Sequence, residues 1–397
     1  MGLTKKIIIA TLKPILKIIF PINKKIIIFW SDYRSFNENS KYLYLYLIKK
    51  SLKPMWVTES NEVFEYLKSK KLPVIKRNIF SIYYFIRAGV LFGAGEDYPN
   101  FLNLMQKETI RFNLRHGCGP ASIVKQQSFK LTKDRIKPIL DKSNFYAQRM
   151  NQWDYINFTS KISEEYFFKI YGIEPNKMKR FGFPRCEGFF DRKKMIKKLR
   201  SKSALKKLGH DGKKKFILYA PTWRVNRSYF PLDYLKGFNF EKFSKFLTDN
   251  NFEFLINPHM NSNFNKVSKR LNLKNKFTNI HFLKKNDLTD INEILTEIDI
   301  LITDYSSIAT DFGILKRKIL YVIPDYKEYK KERGIIFDIK EYNCGQIIKN
   351  YSDLKTNIKN SKIDKKLKNR RKKYFDLYYD KIVNSNKRFY DFLKTIQ

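Results

Sequence analysis

Cysteine is scarce in this chain, and so are acidic side chains and long apolar runs. The three cysteines, Cys118, Cys186 and Cys344, are scattered, odd in number and never spaced as Cys-x-x-Cys. That pattern excludes a disulfide framework and a cysteine zinc site, and it suits a reducing compartment. No apolar run approaches the length that crosses a bilayer. No internal repeat is visible, and no helix-turn-helix, zinc-finger or RNA-recognition signature is present. Carboxylates number 38 against 80 Lys and Arg, a formal net charge of +42. Such a field attracts nucleic acid, anionic lipid or an acidic polymer without choosing among them. A coding bias toward AT-rich codons accounts for the Lys and Ile excess equally well.

What the chain does have is apolar material for large cores: 43% hydrophobic and 16% aromatic residues over a length of 397. That length is comfortable for two domains. Its first twenty residues are apolar with recurring lysine. On a helical wheel Lys6, Lys13 and Lys17 share one narrow face and Ile and Leu fill the rest. The segment 1–24 is therefore expected to lie in a membrane interface, lysines toward lipid phosphates, with Pro14 bending or dividing it. Lysines interrupting the apolar core, and no small-residue cleavage site, argue against a signal peptide. The competing reading is a helix packed on the protein itself.

Short apolar runs alternate with helical patterns. Residues 25–30, 88–93, 110–114 and 154–158 read as buried strands in the first half. Residues 215–220, 252–256, 298–303 and 318–323 do so in the second. Strands alternating with helices predict an α/β chain with parallel sheets built from βαβ units. Tyr42 to Leu47 alternates with period two but falls where a crossover is needed, so it is expected to be helical. A Lys- and Ser-rich stretch, 193–214, marks a break. The expected division is 25–200 for an N-terminal domain and 201–397 for a C-terminal domain that includes the last helices.

Chemistry concentrates at strand ends. Asp290 and Glu293 have the form of a helix start, Asp290 capping. The next strand runs into Thr303, Asp304, Tyr305, Ser306 and Ser307, where a second helix begins at once. A strand turning into a helix at Ser306 and Ser307 aims unpaired N–H groups and hydroxyls at one point, a phosphate site at the carboxyl edge of a parallel sheet. The plainer reading is that one serine merely caps the helix. His116, in Leu114-Arg115-His116-Gly117, also stands just past a strand and can face a cleft as a general base. His259, in Asn257-Pro258-His259, stands in the equivalent place in the other half; His210 and His281 have no such setting. Thr222 and Arg224, in Ala220-Pro221-Thr222-Trp223-Arg224, lie past another strand end and can meet phosphate or acceptor. Gly182-Phe183-Pro184-Arg185 is a turn.

Together these segments resemble the CDP-glycerol glycerophosphotransferase family, which builds the polyol-phosphate chains of teichoic acids and related capsules. The match is one of order and spacing over roughly residues 25–390: Leu-Arg-His-Gly, Gly-Phe-Pro-Arg, Tyr-Ala-Pro-Thr-Trp-Arg, Pro-His, and Leu-Ile-Thr-Asp-Tyr-Ser-Ser with Asp311 downstream. The chain differs where Arg115 replaces the usual Trp, where Cys118-Gly119-Pro120 replaces Thr-Pro-Leu, and where Met260 comes after the second His. Near the end Lys381 comes after Asp380, although Ser385 and Arg388 remain. These differences bear on the acceptor more than on the donor.

The resemblance implies a GT-B fold, two Rossmann-like domains facing across a cleft. It implies attack of an acceptor hydroxyl on the β-phosphorus of a CDP-polyol such as CDP-glycerol, with release of CMP. His116 would be the general base, and His259 would stabilise charge on the transferring group or the leaving CMP. Ser306 and Ser307 would hold the diphosphate, Thr222 and Arg224 would line the donor side, and Asp304 and Asp311 would support the loop or contact the donor. No metal-ligand cluster is visible, so neither a tightly bound metal nor any cofactor beyond the CDP-polyol substrate is expected. The expected partners are a lipid-linked or polymeric anionic acceptor and an anionic membrane surface, at the cytoplasmic face of the membrane. The rival readings are a GT-B glycosyltransferase using a nucleotide sugar, a basic nucleic-acid-binding protein, and a catalytically dead membrane scaffold.

Overall fold

The computed structural model describes residues 18–31, 35–94, 105–117, 131–132, 135–136, 150–165, 172–190, 205, 214–226, 228–259, 262–270, 276–283, 290–333, 335, 338–360, 365–379 and 383–396. The lysine-bearing segment 1–17 and most of the expected break at 193–214 lie outside these residues, as do Cys118 to Pro120, His210, Met260, Asp380 and Lys381. The chain forms two units. The first draws on Met1–His116, Thr132–Glu187 and Tyr379–Gln397, the second mainly on Gly188–Tyr378.

The first unit contains β1 (Asn23–Ser31), α1 (Glu38–Lys49), β2 (Met55–Thr58), α2 (Asn61–Ser69), β3 (Val74–Lys76), α3 (Ile79–Arg87), β4 (Ala88–Ala94) and β5 (Ile110–Asn113). After a two-stranded pair, β6 (Leu131–Thr132) and β7 (Arg135–Ile136), come β8 (Tyr155–Asn157) and β9 (Met178–Lys179). The main sheet has the order β3-β2-β1-β4-β5-β8-β9 and is parallel throughout. Parallel strands are covered on both faces, which is why β4 is buried along its whole length and reads as an uninterrupted apolar run. The alternating segment Tyr42 to Leu47 is helical, as the crossover requires. It lies in α1, which packs Leu43, Tyr44 and Leu47 into the core.

The second unit contains β10 (Lys215–Ala220), α4 (Phe240–Asp249), β11 (Phe252–Ile256), α5 (Phe264–Arg270), β12 (Ile280–Phe282), β13 (Ile300–Thr303), α6 (Ile308–Gly313), β14 (Lys318–Tyr321), α7 (Tyr326–Arg333), β15 (Gln346–Ile347), α8 (Tyr351–Lys359) and α9 (Lys365–Tyr378). Its sheet has the order β12-β11-β10-β13-β14-β15, again all parallel. Both sheets run outward in both directions from their first strand, the Rossmann arrangement. The order therefore reverses between β1 and β4 and between β10 and β13. Such folds bind ligands outside the carboxyl ends of the strands at that reversal.

Two expectations need correction. Asp290 does cap, accepting from the Asn292 N–H at 2.9 Å, but it starts two 3-10 turns, Ile291–Glu293 and Leu295–Glu297, not an α-helix. The last helix, α10 (Ser385–Ile396), belongs to the first unit rather than to a C-terminal domain of 201–397. The reason is an aromatic lock. The Phe389 ring meets Phe181 at 5.0 Å, Phe112 at 5.1 Å and Phe92 at 6.0 Å, while Phe392 meets Tyr155 at 5.1 Å. Phe389→Ala is accordingly expected to destabilise the first unit by about 3–5 kcal/mol, the cost of a large cavity in a packed core. Urea unfolding measures it, and a loss below about 1 kcal/mol would mean that α10 does not complete this core.

Candidate functional site

In the second unit the loops leaving β10, β13 and β14 converge on one buried guanidinium. Arg224 is 4% exposed. Its Nη1 donates to Asp304 Oδ2 and to the Thr222 carbonyl, both at 2.9 Å. Its Nε and Nη2 donate to the two oxygens of Asp325 at 2.5 and 3.2 Å. The guanidinium also lies 5.0 Å from the Tyr305 ring centre and 4.6 Å from that of Tyr329, two rings stacked 3.8 Å apart. Asp304 is fully buried, and its second oxygen accepts from the Thr222 N–H at 2.9 Å. The Asp304 carboxylate therefore ties the loop after β10 to the loop after β13 at the point where strand order reverses. The Thr303 hydroxyl reinforces the tie, donating to the Ala220 carbonyl at 2.7 Å.

The electrostatics come from burial and pairing. Burial alone would lower the Arg224 pKa, but the Asp304 charge, with the hydrogen bond and charge of Asp325, holds it above its ordinary value. Burial likewise holds the Asp304 carboxyl above the usual carboxylate range, opposed by the Arg224 charge and the Thr222 N–H. Arg224 and Asp304 are thus the frame of the loops. Asp325 and the Tyr305–Tyr329 stack complete that frame, and sequence reasoning missed them. The available signal was Pro324-Asp325 just past the strand β14, a third strand end on the same edge.

This frame presents the turn into α6. Ser306 and Ser307 are half-buried. The Ser306 hydroxyl accepts from the Ile308 N–H at 3.4 Å, whereas the Ser307 side chain caps nothing. Helix α6 is short and mostly buried, with Ala309 to Gly313 in the core and the Thr310 hydroxyl 2.6 Å from that of Tyr374. Asp311 is buried on it. Cys344 supports α6 from below, its Sγ donating to the Ala309 carbonyl at 3.5 Å, and burial pushes its thiol up to about 11. It remains a neutral packing residue. Thr222 is half-buried beside this turn, and His259 is half-buried three residues past the end of β11.

His116 belongs to the first unit, three residues past the end of β5 and half-buried. Its neighbour Arg115 has a left-handed φ of 54°. The structure thus brings Thr222, Arg224 and Asp304 into direct contact, places Ser306, Ser307, Asp311 and His259 in the same unit, and places His116 in the other. Ser385 and Arg388 lie on α10 of the first unit, where Arg388 Nη1 donates to the Arg180 carbonyl at 3.5 Å. Among the described residues, no group of three or more His, Cys, Asp or Glu is arranged to hold a metal ion.

Comparison with known proteins agrees with this layout. The pattern that defines the CDP-Glycerol:Poly(glycerophosphate) glycerophosphotransferase family matches residues 13–392. A teichoic acid poly(glycerol phosphate) polymerase of Bacillus spizizenii is 31% identical over 212 residues, 52% of this chain and 50% of that protein. A teichoic acid ribitol-phosphate primase of the same species is 25% identical over 283 residues, 69% of this chain and 67% of that protein. The chain thus spans about half the length of the first of these relatives. Solved structures of the wall teichoic acid polymerase TagF share the fold. One matches at a TM-score of 0.74 and 21% identity, covering 98% of this chain and 96% of that one. Another, soaked with CDPG, matches at 0.72 and 21%, covering 99% and 95%.

Proposed function

The chain belongs to the CDP-glycerol:poly(glycerophosphate) glycerophosphotransferase family, and from that premise we propose that it transfers glycerol phosphate, or a related polyol phosphate, from a CDP-polyol to a hydroxyl of a membrane-associated acceptor or growing polymer. The observation that carries the reading is the turn from β13 into α6, held at the strand-order reversal by Arg224, Asp304 and Asp325. Its half-buried Ser306 and Ser307 offer backbone N–H groups and hydroxyls to a diphosphate. Thr222 lines the same edge, and Asp311 supports α6.

In the reaction an acceptor oxygen bonds to the β-phosphorus as the bond from that phosphorus to the CMP oxygen breaks. His116 takes the acceptor proton. His259 offsets the negative charge that grows on the transferring group or on the departing CMP. Phosphoryl transfer depends mainly on positioning and charge stabilisation, and these residues supply both.

Ser307→Pro tests the diphosphate site. Ser307 has φ −64°, the value proline imposes, so the substitution removes an N–H donor without forcing a new φ at that residue. Losing one hydrogen bond to a charged ligand should weaken CDP-glycerol binding by about tenfold to a hundredfold. Ser307→Ala keeps the N–H and should weaken it less. Wild-type affinity in Ser307→Pro by titration calorimetry would place the diphosphate elsewhere.

The proposed location is the cytoplasmic face of the membrane, bound peripherally to anionic lipid. No helix among the described residues is long and apolar enough to cross a membrane. The support is a patch on the first unit where Ile18, Ile19, Ile79, Phe80 and Tyr83 are exposed together, Phe20 meeting Tyr83 at 6.0 Å. Lys24 and Lys25 are exposed in the same unit. Each cation near an anionic surface contributes about 1 kcal/mol, and inserted apolar side chains add more. Replacing Ile79 and Phe80 with Ser should reduce sedimentation with anionic liposomes while leaving the melting temperature unchanged. Full co-sedimentation of the double variant would reject this patch.

A further inference from the structure

The turn that carries His116 is gripped by side chains from three other segments of the first unit. Three successive carbonyls, those of Leu114, Arg115 and His116, each accept from a buried side chain. Asn39 Nδ2 donates to the Arg115 carbonyl at 2.6 Å and to that of Leu114 at 3.2 Å. Asn157, joined to the Gly182 carbonyl at 2.6 Å, also reaches Leu114 at 3.4 Å. Arg185 Nη1 donates to the His116 carbonyl at 2.6 Å and to Glu38 Oε2 at 2.8 Å. The Arg115 N–H donates in turn to Asn113 Oδ1 at 2.8 Å. Asn39, Asn113, Asn157 and Arg185 are all at most 2% exposed.

A loop that only had to connect two elements would leave these carbonyls to water. Here buried amides and a guanidinium impose one conformation, and that conformation includes a left-handed Arg115 at φ 54°. L side chains adopt it at a cost, and such backbone persists where its surroundings over-determine it. The guanidinium itself is fixed twice more: Glu38 neutralises it, and the Phe183 ring lies 4.6 Å beneath it.

We propose that Arg185, held by Glu38, is a positioning residue that fixes the His116 backbone and so aims the imidazole at the acceptor hydroxyl. The proposal rests on the reading of His116 as the general base. It also gives the Gly-Phe-Pro-Arg turn a role, since Phe183 and Pro184 deliver Arg185 into the core beneath the His116 loop. Arg185 touches no reacting atom. Its effect on rate comes through geometry, where a misplacement of about 1 Å costs on the order of a hundredfold.

The test measures kcat and the KM for CDP-glycerol by CMP release, with a melting curve for each variant. Arg185→Met should lower kcat by about a hundredfold with donor KM unchanged. Arg185→Lys, which keeps a cation able to donate to both oxygens, should recover part of it. In a His116→Ala background Arg185→Met should add less than about twofold, because a residue acting through His116 has nothing left to position. A folded Arg185→Met with wild-type kcat overturns the proposal, as does the same loss in both backgrounds. If Arg185→Met does not fold, Glu38→Gln carries the test, since its amide oxygen still accepts from the guanidinium. Losing the charge should lower kcat about fivefold, and an unchanged kcat overturns the proposal. A His116→Ala enzyme with wild-type turnover overturns the base reading and this proposal with it. An inactive, folded His116→Ala beside a fully active Arg185→Met overturns this proposal alone.

Discussion

His116→Ala is expected to lower turnover by about a hundredfold or more while CDP-glycerol binds with wild-type affinity. The two halves of that expectation have separate causes. Loss of the imidazole leaves the acceptor hydroxyl without a positioned proton acceptor, which lowers the rate of the bond-making step. Donor binding persists because Thr222, Ser306 and Ser307 sit on the second unit, whose core is built without the first. His116 is half-buried three residues past the end of β5, so its truncation opens no large cavity, and the variant should melt like the parent. CMP release and calorimetric titration with CDP-glycerol measure the two quantities. Unchanged turnover in a folded variant would remove His116 from the chemistry.

A large loss of stability is expected for Arg224→Ala. The change leaves Asp304 and Asp325 buried without their cation, and breaking a buried pair in this way costs about 3–5 kcal/mol. Arg224→Lys should recover little, since an ammonium cannot reproduce a fork that bonds two carboxylates and a carbonyl. The loss also carries a pH signature. Burial already holds the Asp304 carboxyl above the ordinary range, and the Arg224 charge is the main force opposing that rise. Without Arg224 the folded-state pKa climbs further above the unfolded value of about 3.9. The folded variant then binds a proton that the unfolded chain does not. Its stability is greatest below that unfolded value and is lost as pH rises through the folded one, so its deficit against the parent should shrink as pH falls toward about 4. Urea unfolding at several pH values measures this. A deficit below about 1 kcal/mol, or one that grows on acidification, would contradict the frame described here.

The contrast between these two residues shows what was legible in the sequence. Ser306 and Ser307 stand past β13, which is buried along its whole length and reads as an unbroken apolar run, and His116 stands past β5, whose alternate residues Ile110 and Phe112 are apolar, so their places at strand ends came from pattern alone. The same reasoning found β10, β11 and β13. It passed over β2, β3 and β12; β3 is only half-buried along its length. Arg224 reads in sequence as a group that meets phosphate or acceptor, because it stands just past a strand end. Its partner Asp325 lies 101 residues away, and no local feature announces the pairing. The capping signal at Asp290 was real but local; a cap fixes where a turn starts, not how long the helix runs. Helix α10 shows an amphipathic pattern that predicts one buried face, yet nothing in the pattern says which core receives Phe389.

Transfer of a polyol phosphate from a CDP-polyol leaves a direct trace in the products. Purified protein is incubated with CDP-glycerol and a lipid-linked acceptor, and the products are weighed by mass spectrometry. The expected product is an acceptor enlarged by glycerol phosphate, with one CMP released for each unit added. An acceptor left unchanged by CDP-glycerol and CDP-ribitol but extended by a sugar from a nucleotide sugar would contradict polyol-phosphate transfer.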